Sequence, residues 1–276
     1  MLRTRVITAL VLLAGLLAVM LSKSALLFLL ATATFFAAAA WESLRLFGSK
    51  WPVIGAAIWT ALFVYLVAFG GGLVNQHLFF GSCVALWAIR FAPALMLGLP
   101  QMQGGIGNRL LSLTYGFAIL GCFMALFGLY SVKPSPLYLL SVMALVWIAD
   151  IGAYFSGKAF GKHKLAPAIS PGKSWEGAIG GCLAVLLLGG LSVVIPALSD
   201  TFAVRVQRAW GWAALALVLI LMVAASIIGD LFESQLKRRA GMKDSSNLLP
   251  GHGGVLDRID ALLPTLPLAM LLGYWL

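Results

Sequence analysis

Long apolar stretches, separated by short polar joins, run along the whole chain. They cover residues 6–22, 25–46, 52–74, 78–99, 110–131, 136–157, 175–198, 210–235 and 256–276. Each is close to the roughly 17–25 residues that a transmembrane helix needs. Several joins contain helix breakers, as between Pro100 and Gly105 or between Pro250 and Gly254. The pattern predicts an all-α polytopic integral membrane protein with about nine transmembrane helices.

Composition agrees with this fold class. Of 276 residues, 62% are hydrophobic and 10% are charged, whereas soluble domains average about 45–50% apolar and about 25% charged residues. A soluble globular protein is therefore excluded. The first apolar run, after MLRTR, is also compatible with a signal peptide. It lacks a clear small-x-small cleavage site, and a second run starts at Ala25, so we interpret it as a retained first transmembrane helix.

Basic residues are distributed unequally between the two sides of this bundle. With the N-terminus in the cytoplasm, the inside segments hold fourteen Lys and Arg residues and the outside segments hold four, Lys23, Lys133, Arg205 and Arg208. This asymmetry follows the positive-inside rule and predicts a cytoplasmic N-terminus. The polar loops 158–174 and 236–255 then face the cytoplasm. The net charge of +10 indicates anionic lipids or phosphate ligands as partners, rather than nucleic acid.

Acidic residues are concentrated around the apolar helices of the last part of the chain. Six of the nine are Asp150, Glu176, Asp230, Glu233, Asp257 and Asp260. A carboxylate at membrane depth costs about 2.5–3.5 kcal/mol on insertion scales, so it usually faces a cavity or a partner. One helix face carries Asp230, Glu233, Ser234 and Lys237, and another carries Asp257 and Asp260. Salt bridging between helices is one interpretation, and a site for a hard divalent cation such as Mg²⁺ is the other.

Two polar loops add candidate phosphate ligands. Residues 158–174 contain several lysines and end in GKS, but Pro167 stands where a Walker A loop needs its first glycine, which excludes a P-loop. The lysines are then either phosphate ligands or ordinary cytoplasmic charge. His252 lies in PGHGG, where the flanking glycines allow the backbone to approach a ligand closely. A simple turn residue is the alternative for this histidine.

The stretch SQLKRRAGMKDSSNLLPGHGGVLDRID, residues 234–260, resembles the signature of the phosphatidate cytidylyltransferases, also called CDP-diacylglycerol synthases. The matching positions are Ser234, Leu236, Lys237, Arg238, Lys243, Asp244, Ser246, Leu249, Pro250, His252, Gly253, Gly254, Val255, Asp257, Arg258, Ile259 and Asp260. GDLFES at 229–234 and the residues from Asp150 to SPGKSWEG resemble further family segments, although Gly172 stands where many relatives carry a second lysine.

The resemblance covers about residues 135–276, whereas the first half matches only as a hydrophobic region. We therefore divide the chain into two regions. Residues 1–134 form an N-terminal transmembrane region of about five helices. Residues 135–276 form a C-terminal catalytic transmembrane region with two cytoplasmic polar loops.

The resemblance implies an enzyme that transfers the cytidylyl group of CTP to phosphatidate, giving CDP-diacylglycerol and pyrophosphate for phospholipid biosynthesis. It implies a multi-pass protein of the bacterial inner membrane, with its active site facing the cytoplasm and with Mg²⁺, alone or with a second cation, as cofactor. The expected partners are CTP, phosphatidate and bilayer lipid, without nucleic acid, in a homodimer. One alternative is a transporter of a phosphorylated solute. The other is a different metal-dependent lipid phosphotransferase, whose Asp-Gly-x-x-Ala-Arg motif is absent here.

Residue roles follow from the resemblance and the spacing together. The residues expected to hold Mg²⁺ are Asp230, Asp257 and Asp260. The expected catalytic set is Ser234, Lys237, Asp257 and Asp260, in which the serine and the lysine contact phosphate. The expected substrate-binding residues are Lys173 and Ser174, which cover the nucleotide, and Arg238, Lys243, His252 and Arg258, which bind or orient phosphates.

Overall fold

A computed structural model describes residues 2–70, 75–102, 105–132 and 136–276. The helices are α1 (Leu2–Leu21), α2 (Ala25–Leu46), α3 (Pro52–Phe69), α4 (Gln76–Leu86), α5 (Ala92–Leu97), α6 (Ile106–Val132), α7 (Pro136–Phe160), α8 (Trp175–Ser192), α9 (Phe202–Arg239), α10 (Leu256–Ile259) and α11 (Leu262–Gly273). Two short strands, β1 (Lys164–Ala166) and β2 (Ser170–Ser174), lie between α7 and α8. Lys133 and the end of the predicted span 52–74 lie outside the described residues.

Seven helical spans in the described residues are long and apolar enough to cross a membrane: Ala25–Leu46, Pro52–Phe69, Gln76–Leu97, Ile106–Ser131, Pro136–Phe160, Trp175–Ser192 and Phe202–Arg239. The other two predicted stretches correspond to the shorter apolar helices Ile7–Leu21 and Leu262–Gly273. The predicted all-α polytopic membrane fold is confirmed. The count of about nine crossings and the cytoplasmic N-terminus remain predictions, because length and composition alone define these spans.

Two spans are interrupted, each at a residue that explains the break. A π-helical turn, Trp87–Phe91, separates α4 from α5, and it precedes Pro93, whose ring nitrogen has no hydrogen to donate within a helix. Helix α9 is bent at Gly211, where φ is 84°, a conformation that residues with a side chain rarely adopt. Helix α9 also begins earlier than predicted, at Phe202 and not at residue 210.

Helices α7 and α8 approach each other closely because small residues line their contact. A Cβ atom added at Gly152 would lie 2.9 Å from Ala184 Cβ and 3.0 Å from Gly181 Cα. One added at Gly181 would lie 2.5 Å from the carbonyl oxygen of Ala149. Small residues allow such approach in membrane helices, where packing rather than the hydrophobic effect holds helices together. The packing brings the ends of α7 and α8 against the polar loop that joins them.

The polar loop 158–174 contains a β-hairpin. Strands β1 and β2 pair antiparallel, with Lys164 opposite Ser174 and Ala166 opposite Ser170. The hydroxyl oxygen of Ser174 then accepts a hydrogen bond from the Gly177 backbone at 3.2 Å and caps the start of α8. The hairpin fixes Lys173, the residue just before this cap, beside α9.

Aromatic rings join the first half of the chain to α9. Phe232 of α9 lies with its ring centroid 4.5 Å from that of Phe91 and 5.5 Å from that of Tyr115 on α6. All three side chains are fully buried. The last third of α9, which carries the predicted site residues, is thus held from both halves of the chain. The division at residue 134 remains a prediction.

Candidate active site

The C-terminal part of α9 presents the polar face that the sequence predicts. Ser234 Oγ lies 3.4 Å from Asp230 Oδ1, one turn earlier on the helix. Lys237 Nζ forms ion pairs with Glu233 of the same helix and with Asp257, whose Oδ1 is 2.5 Å away. Glu233 is fully buried. Lys237, predicted to contact phosphate, therefore lies between two carboxylates in this structure.

The signature loop after α9 folds back and encloses Asp257. The Asp257 Oδ2 atom accepts hydrogen bonds from the backbone N–H groups of Ser245 and Gly254, both at 2.8 Å, and from Ser245 Oγ at 2.9 Å. Its other oxygen, Oδ1, faces Lys237. Asp257 is therefore held by the signature loop on one side and by Lys237 on the other.

Asp260 lies three residues further on, immediately after α10. Asp260 Oδ1 accepts a hydrogen bond from the Ala261 backbone at 2.7 Å. A Cβ atom added at Gly229, next to Asp230, would lie 2.3 Å from the Asp260 carbonyl oxygen. Gly229 thus permits the approach of α9 to the α10–α11 turn and of Asp230 to Asp260.

A cavity of about 380 Å³ opens between α7, α8, α9 and the hairpin. Much of its wall is Ala and Gly, with Asp150, Lys173, Ser174 and Asp230 among its polar lining residues. Lys173 Nζ lies 2.5 Å from Asp230 Oδ2. Of the predicted site residues, Lys173, Ser174 and Asp230 line this cavity, whereas Asp257 and Asp260 do not. Its volume falls within the roughly 300–1,000 Å³ of small-molecule sites.

The remaining predicted substrate ligands surround this centre. Arg238, Lys243 and Arg258 are exposed, and among the described residues none of them has an ion-pair partner. Arg238 Nε lies 3.4 Å from the carbonyl oxygen of Ile169 at the hairpin turn. These three cations are therefore free to meet an anion. His252 forms a turn, since its backbone N–H donates to Leu249 at 2.9 Å, while its buried Nδ1 has no partner in the described part of the chain.

The carboxylates of the site are the candidate ligands for Mg²⁺. Within the described ranges, no group of three His, Cys, Asp or Glu side chains is arranged to hold a metal ion. Lys173 occupies one oxygen of Asp230 and Lys237 occupies one oxygen of Asp257. Mg²⁺ is usually bound by one or two carboxylates completed by substrate phosphates and water. The residues fit that mode of binding, and they do not form a closed metal site from protein groups alone.

Sequence reasoning missed Glu42 of α2, which is fully buried beside the signature loop. Its Oε1 accepts hydrogen bonds from Ser246 Oγ at 2.5 Å and from Val255 N at 3.0 Å. Its Oε2 accepts them from Ser245 Oγ at 3.1 Å and from Leu256 N at 2.6 Å. A signal was present in the sequence, since Glu42 is the only acidic residue before Asp150 and lies inside an apolar stretch.

Comparisons with known proteins agree with the signature resemblance and extend it. The profile described as the cytidylyltransferase family matches residues 3–276. A phosphatidate cytidylyltransferase of Pseudomonas aeruginosa is 43% identical over 274 residues, which cover 97% of this chain and 95% of the relative. One of Haemophilus influenzae is 37% identical over 288 residues, covering 97% and 96%. One of Brucella suis is 48% identical over 132 residues, covering 48% of this chain and 45% of the relative.

Proposed function

The chain belongs to the cytidylyltransferase family and transfers the cytidylyl group of CTP to phosphatidate, and from this premise we propose that the transfer takes place at Asp230, Asp257 and Asp260. The products are CDP-diacylglycerol and pyrophosphate. The observation that carries the location is the pairing of Lys173 with Asp230 at the cavity and of Lys237, further along the same helix as Asp230, with Asp257. Two ammonium groups and several carboxylates thus meet where α9, the hairpin and the signature loop converge.

The main requirement of the reaction is compensation of the negative charge of the two substrates. An oxygen of the phosphatidate phosphate forms a bond to the α-phosphorus of CTP, and the bond from that phosphorus to the bridging oxygen of pyrophosphate breaks, with its electron pair leaving on pyrophosphate. The nucleophile is already an anion, so no strong general base is needed. Positioning and electrostatic stabilisation are the dominant contributions in phosphoryl-transfer chemistry. The protein must therefore bring two anions together and stabilise the charge on the leaving group.

The residues around the cavity suit this task. Lys173 and Lys237 carry positive charge on flexible stems, so their ammonium groups can turn from a carboxylate oxygen to a phosphate oxygen. The exposed cations Arg238, Lys243 and Arg258 are placed to bind phosphates that arrive from water. Mg²⁺, when bound to Asp230, Asp257 or Asp260 together with substrate phosphates, would supply further neutralisation of phosphate charge. Ser234 and His252 would orient phosphate oxygens from the edge of the site.

The location of the site in the cell is also part of the proposal. The positive-inside asymmetry supports an inner-membrane protein whose hairpin and signature loop face the cytoplasm, where CTP is dissolved. Single cysteines introduced in a Cys-free background test this orientation. Asn247 is a suitable position because it is exposed, whereas its neighbour Ser245 is buried. Labelling at residue 247 of intact cells by a membrane-impermeant reagent would contradict the orientation. The homodimer and the lack of nucleic-acid binding remain predictions.

The site assignment is tested with detergent-solubilised protein and a phosphatidate-dependent assay of pyrophosphate release from each nucleoside triphosphate. The wild-type protein is expected to use cytidine nucleotides. Lys173→Met is expected to lower kcat/KM by about tenfold or more, since it removes a charge next to the reacting phosphates. Lys162→Met is the matched control, because Lys162 is an exposed lysine of the same loop outside the cavity lining. Equal kinetics of the two variants would place the reaction elsewhere.

A further inference from the structure

Glu42 is a buried acidic group to which the proposed reaction gives no role. Four donor groups lie within hydrogen-bond distance of its carboxylate, all from residues of the signature loop or from the first residues of α10. Among the described residues it has no ion-pair partner. Buried polar groups in proteins are normally hydrogen-bonded, and charged ones need several donors to offset the loss of water. The loop supplies those donors and is in turn fixed by them.

We propose that Glu42 is a positioning residue for the cytidylyl transfer: through the signature loop, it fixes the place and orientation of Asp257. The proposal rests on the function proposed above and gives the N-terminal region a specific part in it. Glu42 lies on α2, about two hundred residues before its loop partners, at sequence separations of 203 to 214. The anchor therefore comes from a helix outside the signature loop.

The connection from Glu42 to Asp257 runs through Ser245. Ser245 Oγ lies 3.1 Å from Glu42 Oε2 and 2.9 Å from Asp257 Oδ2. A hydroxyl has one hydrogen, so it donates to one of these carboxylates at a time. The Ser245 backbone N–H also donates to Asp257 Oδ2. A displacement of Ser245 relative to Glu42 would therefore move the backbone N–H that holds Asp257 Oδ2, together with the hydroxyl that lies between the two carboxylates.

Gly254 shows how closely the loop approaches the carboxylate. A Cβ atom added at this position would lie 2.5 Å from Glu42 Oε1 and 2.0 Å from Ser245 Oγ. Only a glycine allows the loop to pass between these groups. The Gly254 backbone N–H meanwhile donates to Asp257. The same short segment thus touches Glu42 on one side and orients Asp257 on the other.

Glu42 does not itself act as a ligand in this arrangement. Each of its oxygens already faces two protein donors, and the side chain has no contact with solvent. The reacting groups are instead reached through Asp257, whose Oδ1 faces Lys237. A misplacement of about 1 Å in a catalytic group can cost about 10²-fold in rate. Loss of the anchor should therefore appear in turnover more than in substrate binding.

The test compares Glu42→Gln with Thr32→Val in detergent-solubilised protein. The glutamine keeps the length of the side chain, but its NH₂ group would face two of the four donors. It is expected to lower kcat about 10- to 100-fold and to change KM for CTP and phosphatidate less than about threefold. Thr32 is a matched control because it is buried in the same helix and its hydroxyl bonds only to its own helix, at Phe28 and Leu29. Thr32→Val should retain wild-type kcat.

Each preparation is also measured for folded protein by size-exclusion chromatography and thermal unfolding. If Glu42→Gln does not yield folded protein, Ser246→Ala removes only one of the four donors and is expected to lower kcat about threefold to tenfold at unchanged KM. A folded Glu42→Gln protein with wild-type kcat, or activity that falls only in proportion to folded protein, overturns the proposal. So does wild-type kcat in Ser246→Ala. A wild-type protein without phosphatidate-dependent pyrophosphate release would instead refute the proposed function.

Discussion

Glu42 in the N-terminal region and Asp230 in the C-terminal region are both carboxylates of a largely apolar protein, but they are held in different ways. Glu42 is held by two serine hydroxyls and two backbone N–H groups. Asp230 is held by the ammonium group of Lys173 at a cavity wall. Backbone donors are fixed by the fold, whereas an ammonium group on a four-carbon stem can move to another anion.

The difference corresponds to two requirements of the site, which are cations that can change partners and a geometry that stays fixed. Charge that must respond to an arriving phosphate is placed on side chains that can exchange partners. Geometry that must not change is fixed by backbone groups and by the first half of the chain. Asp257 belongs to both classes, because Oδ2 is held by the loop and Oδ1 faces Lys237. Substitutions at these positions should therefore have different effects on turnover and on stability.

The largest effect is expected from Asp257→Asn. The amide oxygen can still accept the loop N–H groups, but its NH₂ group would face Lys237, and the negative charge is lost. Loss of comparable electrostatic stabilisation costs about 10²–10³-fold in rate. The protein should still fold, because a neutral amide is cheaper to bury than an uncompensated carboxylate. The measurements are kcat across a Mg²⁺ titration and the thermal midpoint of the same sample.

Asp200→Asn provides the control for a plain salt bridge, because Asp200 pairs with Arg205 away from the cavity. It should lower the thermal midpoint slightly and leave kcat unchanged. If Asp257→Asn behaves in the same way, with an unchanged rate and an unchanged dependence on Mg²⁺, Asp257 is only a structural salt-bridge partner.

A somewhat smaller loss of activity is expected from Lys237→Met. The substitution should raise KM for a substrate or lower turnover by about tenfold, since it removes a charge from the site. It should also reduce stability, by about 3–5 kcal/mol, because it leaves Glu233 and Asp257 without their buried cation. Steady-state kinetics and thermal unfolding, with Lys162→Met as the exposed lysine control, measure both effects. If the Lys237→Met protein keeps wild-type kinetics, Lys237 only balances the charges of Glu233 and Asp257 and does not contact a substrate.

The close contact of the signature loop with Glu42 is tested by Gly254→Ala. The added methyl group would collide with Ser245 Oγ and Glu42 Oε1, and overpacking of this kind typically costs about 1–3 kcal/mol. Gly81→Ala, on α4, is a matched control, since nothing lies within 4 Å of its added Cβ atom and it does not line the cavity. We expect a lower thermal midpoint and reduced kcat for the first variant only. Equal behaviour of the two would show that the loop moves without consequence.

The smallest effect is expected from Ser174→Ala. Ser174 caps α8, and loss of a serine cap costs about 1 kcal/mol. We expect a small decrease in the thermal midpoint of Ser174→Ala. Its KM for CTP should change by less than about threefold, because only the helix cap is lost. Ser170→Ala, in the same strand, is the control. A large rise in KM for CTP at unchanged stability would instead support the predicted contact between Ser174 and the nucleotide.

The sequence by itself determined the membrane class and the place of the chemistry along the chain. Apolar stretches of spanning length predict helices, because backbone groups in lipid must be satisfied within each segment. The spacing of Asp230, Glu233, Ser234 and Lys237 places them on one helix face, because helical geometry is local. The signature from Ser234 to Asp260 identified the chemistry, since its residues are close together in the chain.

Only the tertiary structure decided which distant groups meet. The pairing of Lys173 with Asp230 depends on a hairpin that local pattern did not reveal. The pairing of Glu42 with Ser245 and Ser246 joins positions more than two hundred residues apart, at separations of 203 and 204. A lone carboxylate in an apolar helix shows that a partner is needed, but the partner is chosen by how the helices pack. That packing depends on contacts across the whole bundle and leaves no periodic trace at either position.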